Sequence, residues 1–231
     1  MNKEQFKEEL KKLNIELTKQ QEMQLEKYYE LLIEENKKTN LTRITEKEEV
    51  YLKHFYDSLT ITKVIDLTQN LRLIDIGTGA GFPGLVLKIV FPNLNITLLD
   101  SLNKRIDFLN KVIKELNLTN IKTVNSRIED YQEETFDIVT SRAVAKTNIL
   151  LELSCRLPKI NGYFIFLKAN IEDELEESTN AIKQLNLTIE KKETFNLPIE
   201  NSQRTILKIK KNTSIPLKYP RNFAKIKKNP L

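Results

Sequence analysis

Apolar positions in the first quarter of the chain recur at helical spacing. Phe6, Leu10 and Leu13 open the pattern, and Leu25, Tyr28, Tyr29, Leu32 and Ile33 continue it on one stripe. Thr18 with Gln21 three residues on has the form of a capping box that starts this second helix. Thr45 with Glu48 has the same form ahead of Val50, Tyr51, His54, Phe55, Ser58 and Leu59, and the polar stretch 36–44 predicts a loop. From residue 71 the rhythm changes to short apolar runs, at 71–76, 95–99, 121–124, 136–140 and 162–167, which predict strands. Helical patterns at 82–90, 102–116 and 147–156 fall among them. A charged helix at 171–184 follows, then strand-like runs at 187–195 and 203–210, separated by a turn at Pro198 and suited to an antiparallel hairpin at the sheet edge. The alternation predicts an α/β fold: a doubly wound, mostly parallel sheet with an antiparallel edge strand and an α-helical N-terminal extension. Three regions are expected, with helices over 1–65, the sheet domain over 66–211 and a basic tail over 212–231.

Composition narrows this little: 40% hydrophobic and 30% charged residues are ordinary for a soluble domain. One cysteine, Cys155, excludes an internal disulfide and a cysteine-built zinc site, and one histidine, His54, argues against a histidine-built one, so no metal is expected. No secretory signal or membrane-length apolar run is seen, which predicts a cytoplasmic protein with no membrane association, and a monomer. Charge distribution changes the picture more. The net charge is +5, yet residues 201–231 hold nine Lys or Arg and no Asp or Glu, so the rest of the chain has four more acids than bases. Such a basic stretch suits a phosphate backbone, although a solvated tail that aids solubility has the same composition. Tyr219 and Phe223 lie among the charges, able to stack on bases or on the protein body.

The candidate chemistry centres on 73–84, where Asp75 closes an apolar strand and Gly77, Gly79 and Gly81 follow at alternate positions. Glycines permit the backbone angles of a tight turn and leave room for a ligand, and a helix beginning near Phe82 would take Pro83 in its first turn. Gly79, Gly81 and Gly84 also satisfy a dinucleotide fingerprint, so a nicotinamide-binding module competes. Against it, Asp75 would aim a carboxylate at a pyrophosphate, whereas it suits the charged amino-acid part of S-adenosylmethionine. Asp100 ends the second strand at the spacing of a ribose-binding acid, which both cofactors want. No hydride-transfer residues follow. Glu129, after the third strand, suits either an adenosine contact or the start of a helix.

With these residues the chain resembles the RsmG (GidB) family, which methylates N7 of a guanine in 16S ribosomal RNA. The resemblance spans nearly the whole chain. It is carried by Asn40-Leu41-Thr42, His54-Phe55-Tyr56-Asp57-Ser58-Leu59, the loop from Asp75 through Phe82-Pro83-Gly84, and Asp100-Ser101-Leu102-Asn103-Lys104-Arg105. Ser126-Arg127-Ile128-Glu129-Asp130, Ser141-Arg142-Ala143-Val144-Ala145, Tyr219-Pro220-Arg221 and the closing Lys227-Lys228-Asn229-Pro230-Leu231 complete it. The resemblance implies a Rossmann-like methyltransferase sheet, S-adenosyl-L-methionine as cofactor, and 16S rRNA or the small ribosomal subunit as partner. It implies cofactor contacts at Gly77, Phe82, Ile128, Glu129 and Arg142. Ile128 stands where a small alanine is the family's habit, and Asn222-Phe223-Ala224 lacks the glycine usual in the closing segment.

Guanine N7 carries a free lone pair, so methylation there needs positioning and no general base. Cys155 falls outside the strand end where a pyrimidine-C5 methylase keeps its nucleophile, and reads as a small buried hydrophobe. Arg142 suits the acceptors of guanine, an anionic group of the cofactor, or an RNA phosphate. Lys104, Arg105 and Lys168, near the carboxyl ends of strands, join Arg142, Arg221, Lys227 and Lys228 as candidate RNA contacts. His54, Asp57 and Ser58 could share a helix face as a hydrogen-bonded core or RNA-facing cluster. A methyltransferase for another RNA or for protein is the alternative.

Overall fold

A computed structural model describes residues 1–131, 135–142, 144–169 and 171–231; Ala143 of the Arg-Ala-Val-Ala run lies outside the described residues. Helix α1 (Lys3–Lys12) is capped by Asn2. Helix α2 (Lys19–Thr39) starts in the expected box, with the Thr18 hydroxyl accepting from the Gln21 amide while the Gln21 side chain accepts from the Thr18 amide. It ends at Asn40, whose left-handed backbone (φ 49°) stops the helix. The second expected box does not form. Helix α3 (Lys47–Val50) begins after Glu46 without a side-chain cap, and the Thr45 carbonyl accepts the Tyr29 hydroxyl. The chain then widens into a π-helical turn over Tyr51–Tyr56 before α4 (Asp57–Leu59). Five of that turn's six residues are buried, with Tyr51 against Phe6 and Phe55 stacked on Tyr28.

The seven strands are β1 (Arg72–Ile76), β2 (Asn95–Asp100), β3 (Ile121–Asn125), β4 (Phe136–Arg142), β5 (Pro158–Lys168), β6 (Leu187–Asn196) and β7 (Gln203–Lys211). Between and after them lie α5 (Gly84–Val90), α6 (Asn103–Glu115), α7 (Thr147–Leu153), α8 (Glu172–Glu177), α9 (Thr179–Gln184) and α10 (Phe223–Lys228). The sheet order is β3-β2-β1-β4-β5-β7-β6, with β1 to β5 parallel. The doubly wound, mostly parallel sheet of the sequence reading is thus present. Its reversed strand, β7, is antiparallel to both β5 and β6, so it lies one place in from the edge and β6 is outermost. The charged helix is two helices, interrupted at Ser178, whose hydroxyl turns back to the Glu174 carbonyl at 2.5 Å. Helix α5 starts at Gly84 and not at Phe82, with Pro83 at the cap position.

Apolar residues separate onto the two faces of the sheet. One core joins Phe6, Tyr28 and Phe55 of the N-terminal helices to Leu73 and Ile96 of the sheet and to α5 and α6. The helical extension therefore shares its core with the sheet. The other face packs Ile74, Val139 and Phe164 against α7, α9 and Tyr219 of the closing segment. Chain order reverses between β1 and β4, which opens a crevice at their carboxyl ends, where ligands of such sheets bind.

Candidate cofactor and substrate site

The crevice holds a cavity of about 710 Å³, a volume suited to one small molecule. Its floor is the loop after β1. Gly77, Gly79 and Gly81 all have positive φ (61°, 60° and 104°). A Cβ on Gly77 would stand 2.5 Å from Val144, and one on Gly81 2.5 Å from Leu85, so neither position tolerates a side chain. A Cβ on Gly84 would collide with Leu98 and stand 2.9 Å from Asp75 Oδ2, which is why the helix entry needs glycine there. Tyr28 of α2 donates its hydroxyl to the Ala80 carbonyl and so fastens the N-terminal helices to this loop.

Asp75 does not line the cavity. Its carboxylate is wholly buried under the loop, where Oδ2 accepts from the Thr78 hydroxyl (2.7 Å) and the Gly84 amide (2.8 Å), while Oδ1 has no hydrogen-bond partner among the described residues. Burial pushes its carboxyl up to about 7, against the pull of the Thr78 and Gly84 hydrogen bonds and of Arg142. Asp75 thus shapes the loop from below, out of the cavity's lining. Asp100 does line the cavity, at the end of β2. It accepts from the Gly79 amide (3.0 Å), the Leu102 amide (3.0 Å) and Arg105 (3.0 Å).

Beyond Asp100 the wall turns apolar. Ile128 and Glu129, in a short 3-10 turn, face the cavity with Ile149 and Leu153 of α7 and with Phe223 of α10. Phe82 also lines the cavity. Its ring stacks on His54 (centroids 4.3 Å apart), and the Arg142 guanidinium lies 5.2 Å from its centroid.

Arg142 is the hub of a cluster that divides this cavity from a second one of about 550 Å³. It donates to the Lys53 carbonyl (2.8 Å) and to Asp57 Oδ2 (3.1 Å), and its Nη2 lies 3.0 Å from His54 Nδ1. Asp57 Oδ1 takes Arg204 at 3.2 Å. His54 Nδ1 therefore meets a donor, the Arg142 guanidinium, and an acceptor, the Lys53 carbonyl at 3.1 Å, while Nε2 faces the Thr42 hydroxyl at 3.0 Å. Burial, reinforced by the Arg142 charge, holds the imidazole down at about 3 and hence neutral. Ser58 stays apart from this cluster and spends its hydroxyl on the His54 carbonyl at 2.6 Å.

Several expected RNA contacts are committed within the fold. Lys168 is buried against the Ala145 carbonyl (2.7 Å) and Glu174 (2.8 Å). Arg221 is locked to Glu152, and Arg105 to Asp100. Lys104 reaches the Thr39 carbonyl at the end of α2 from an exposed position. Lys227 and Lys228 are exposed, and Lys227 stands on the cavity rim. The nine basic residues do not make one stripe, since Lys208 and Lys210 pair with Glu190 in the sheet and Lys211 is buried against the Pro158 carbonyl. Sequence reasoning assigned no site role to Thr42, Val144, Ile149, Leu153 and Phe223; Thr42 and Val144 stood in motifs that carry the resemblance, Phe223 stood out as an aromatic among charges, and Ile149 and Leu153 gave no signal.

Solved structures with this fold include a S-adenosylmethionine-dependent methyltransferase from Aquifex aeolicus (TM-score 0.58, 16% identity, 75% of this chain and 97% of that one). A S-adenosylmethionine-dependent O-methyltransferase from Thermotoga maritima is a second (TM-score 0.54, 15% identity, 80% and 73%). Sheet order gives this chain the fold of those enzymes, and the class, a methyltransferase, follows from its family. The family model described as rRNA small subunit methyltransferase G (GidB) matches residues 21–206, and the chain belongs to that family. The ribosomal RNA small subunit methyltransferase G of Macrococcus caseolyticus is 48% identical, and that of Bacillus subtilis 46%, each over 100% of this chain and 99% of the relative.

Proposed function

We propose that this protein transfers a methyl group from S-adenosyl-L-methionine to N7 of a guanine in 16S rRNA of the small ribosomal subunit. The observation that carries the reading is the Arg142–His54 wall between the two cavities, which presents no free base. His54 is neutral with both ring nitrogens engaged, Nδ1 by Arg142 and the Lys53 carbonyl and Nε2 by Thr42, and its low proton affinity makes it a poor proton acceptor. Guanine N7 needs none, because its lone pair is free in the neutral base. Cys155 is excluded as a nucleophile, since burial pushes its thiol up to about 12. Family membership supports ribosomal RNA as the substrate class.

The cofactor fits the larger cavity. Gly77 and Gly79 leave the loop backbone open, and Gly79 has no side-chain neighbour where its Cβ would point. Asp100 has the position to take ribose hydroxyls, with Arg105 the contact that yields, and Ile128, Glu129 and Phe82 flank the remainder. When bound, the cofactor supplies an electrophilic methyl on its sulfonium. Arg142, aimed by Asp57 and His54, orients the group in the second cavity by donating to an acceptor such as guanine O6. It does not stabilise the charge that develops on N7, which is positive. Lys227 and Lys228 offer exposed charge to RNA phosphates. The reading implies a monomer working in the cytoplasm.

The test is transfer of labelled methyl from the cofactor to small-subunit particles, naked 16S RNA, tRNA and total protein. Label is expected in 16S RNA at one guanine, cleavable by aniline after borohydride. Label confined to tRNA or protein overturns the substrate, and absence of cofactor binding overturns the class.

A further inference from the structure

The lining of the larger cavity is completed by the far end of the chain. Ile149 and Leu153 reach it from α7, and Phe223 and Lys227 reach it from α10. Helix α10 has six residues, too few to hold a helix in water by themselves. Its surroundings fix it. Tyr219 is buried, and its carbonyl accepts Arg156 Nε at 2.8 Å. Arg221 gives its backbone amide (3.1 Å), Nε (2.6 Å) and Nη2 (2.6 Å) to Glu152, whose side chain has no exposed surface. The same Nη2 donates to the Asn229 carbonyl at 3.1 Å, so one guanidinium ties both ends of α10 to α7. Asn222 caps the helix through the Lys225 amide, and Ile226 is fully buried. A buried carboxylate stripped of its partner is far costlier than a lost surface pair, so these bonds bind the segment firmly. A solubility tail requires none of them.

Held this way, Phe223 is 38% exposed although Ile226, one turn on, is wholly buried. Phe223 and Val144 are both large apolar residues with exposed surface, and both line this cavity. Ile128, Ile149, Leu153 and Phe223 give the cavity apolar lining suited to a flat aromatic base, while loop amides and Asp100 suit the amino acid and ribose. We infer that the C-terminal helix is a wall of the cofactor site, with Phe223 packing on the adenine of S-adenosylmethionine and Lys227 standing at the same rim. The inference rests on the methyltransferase reading for the identity of the ligand.

The chain contains no tryptophan, so Phe223→Trp installs a single indole at the proposed contact. Its emission should change saturably with S-adenosylhomocysteine, along the binding curve measured by calorimetry on the same variant. Leu217→Trp, on the same segment but 91% exposed and outside the cavity, should stay flat. Phe223→Ala should raise the Kd for S-adenosylhomocysteine about tenfold with its melting temperature retained. An indole at 223 that is silent at calorimetric saturation, or a Phe223→Ala affinity within about twofold of wild type, overturns the inference alone. A wild-type chain that binds no S-adenosylhomocysteine overturns the methyltransferase reading and the inference with it.

Discussion

Two buried titratable side chains and one glycine carry opposite lessons at the scale of single residues. Asp75 holds its proton up to about 7 in the fold, against an ordinary value of 3.8. Its contribution to stability is therefore full at low pH and is lost as pH rises through 7. His54 titrates at about 3 in the fold and ordinarily at 6.5, so its contribution is full above 6.5 and is lost as pH falls towards 3. Between about pH 4 and 6.5 the two slopes oppose each other. Asp75→Asn removes one, so the stability of that variant relative to wild type should rise with pH across this window by about 1.4 kcal/mol per unit. Urea unfolding of the cofactor-free proteins at several pH values measures it, and a flat difference refutes a protonated Asp75. Gly77→Asp meets a left-handed φ of 61° and the Val144 side chain, and adds a carboxylate to the cofactor floor. It should weaken S-adenosylhomocysteine binding by about 100-fold or more, near 2.7 kcal/mol, in calorimetry. Gly77 could be assigned this role from sequence spacing. The burial of Asp75 could not, because its partners Thr78 and Gly84 place it under the loop only once α5 packs on β1 and β2.

Local chemistry among the elements predicted helix α2 well and the segment after it badly. Thr18 and Gln21 cap α2 as their spacing foretold, but Gln21 also donates from Nε2 to the Ile89 (3.1 Å) and Val90 (3.0 Å) carbonyls at the end of α5. One side chain thus caps one helix at its start and another at its end. Thr18→Ala should cost about 1 kcal/mol, as an ordinary cap. Gln21→Ala should cost about 2 kcal/mol, since it also leaves two carbonyls without that donor. Chemical denaturation of the two variants gives the comparison, and equal losses would show the link to α5 to be idle. The Thr45–Glu48 pattern had the same form and made no cap. There the packing of Tyr51, His54 and Phe55 against α1, α2 and Phe82 decided the backbone, and it widened to a π turn.

Charge belongs to the whole molecule. The excess of lysine and arginine after residue 200 suggested one basic tail, yet Lys208, Lys211, Arg204 and Arg221 are spent inside the fold on Glu190, the Pro158 carbonyl, Asp57 and Glu152. Lys227 and Lys228, at the exposed end of α10, are the positions proposed to meet RNA phosphates, and Lys218 and Lys225 of the same segment are exposed as well. Binding of 16S RNA should weaken with salt, and Lys227→Ala or Lys228→Ala should each lower the slope of log affinity against log salt by about 1. Lys208→Ala should leave that slope nearly unchanged. Filter binding at a series of salt concentrations checks this, and equal effects from all three variants would mean that diffuse charge, and not the rim of the cavity, makes the contact.

The sequence alone determined what depends on neighbours within a few residues: the period of each helix and strand, the cap of α2, the glycine turn and the acid that ends β2. Those signals carried the fold and the cofactor class. Tertiary structure decided what depends on pairing across the chain. It turned Asp75 beneath the loop, gave Lys168 to Glu174 and Arg221 to the buried Glu152, joined His54 to Arg142 across 88 positions, and set Phe223 against the cavity first recognised at Gly77. The reason is physical. A side chain's type fixes what it can donate, accept or bury, but which of these it does depends on the low-dielectric surroundings and partners that only the packed chain provides.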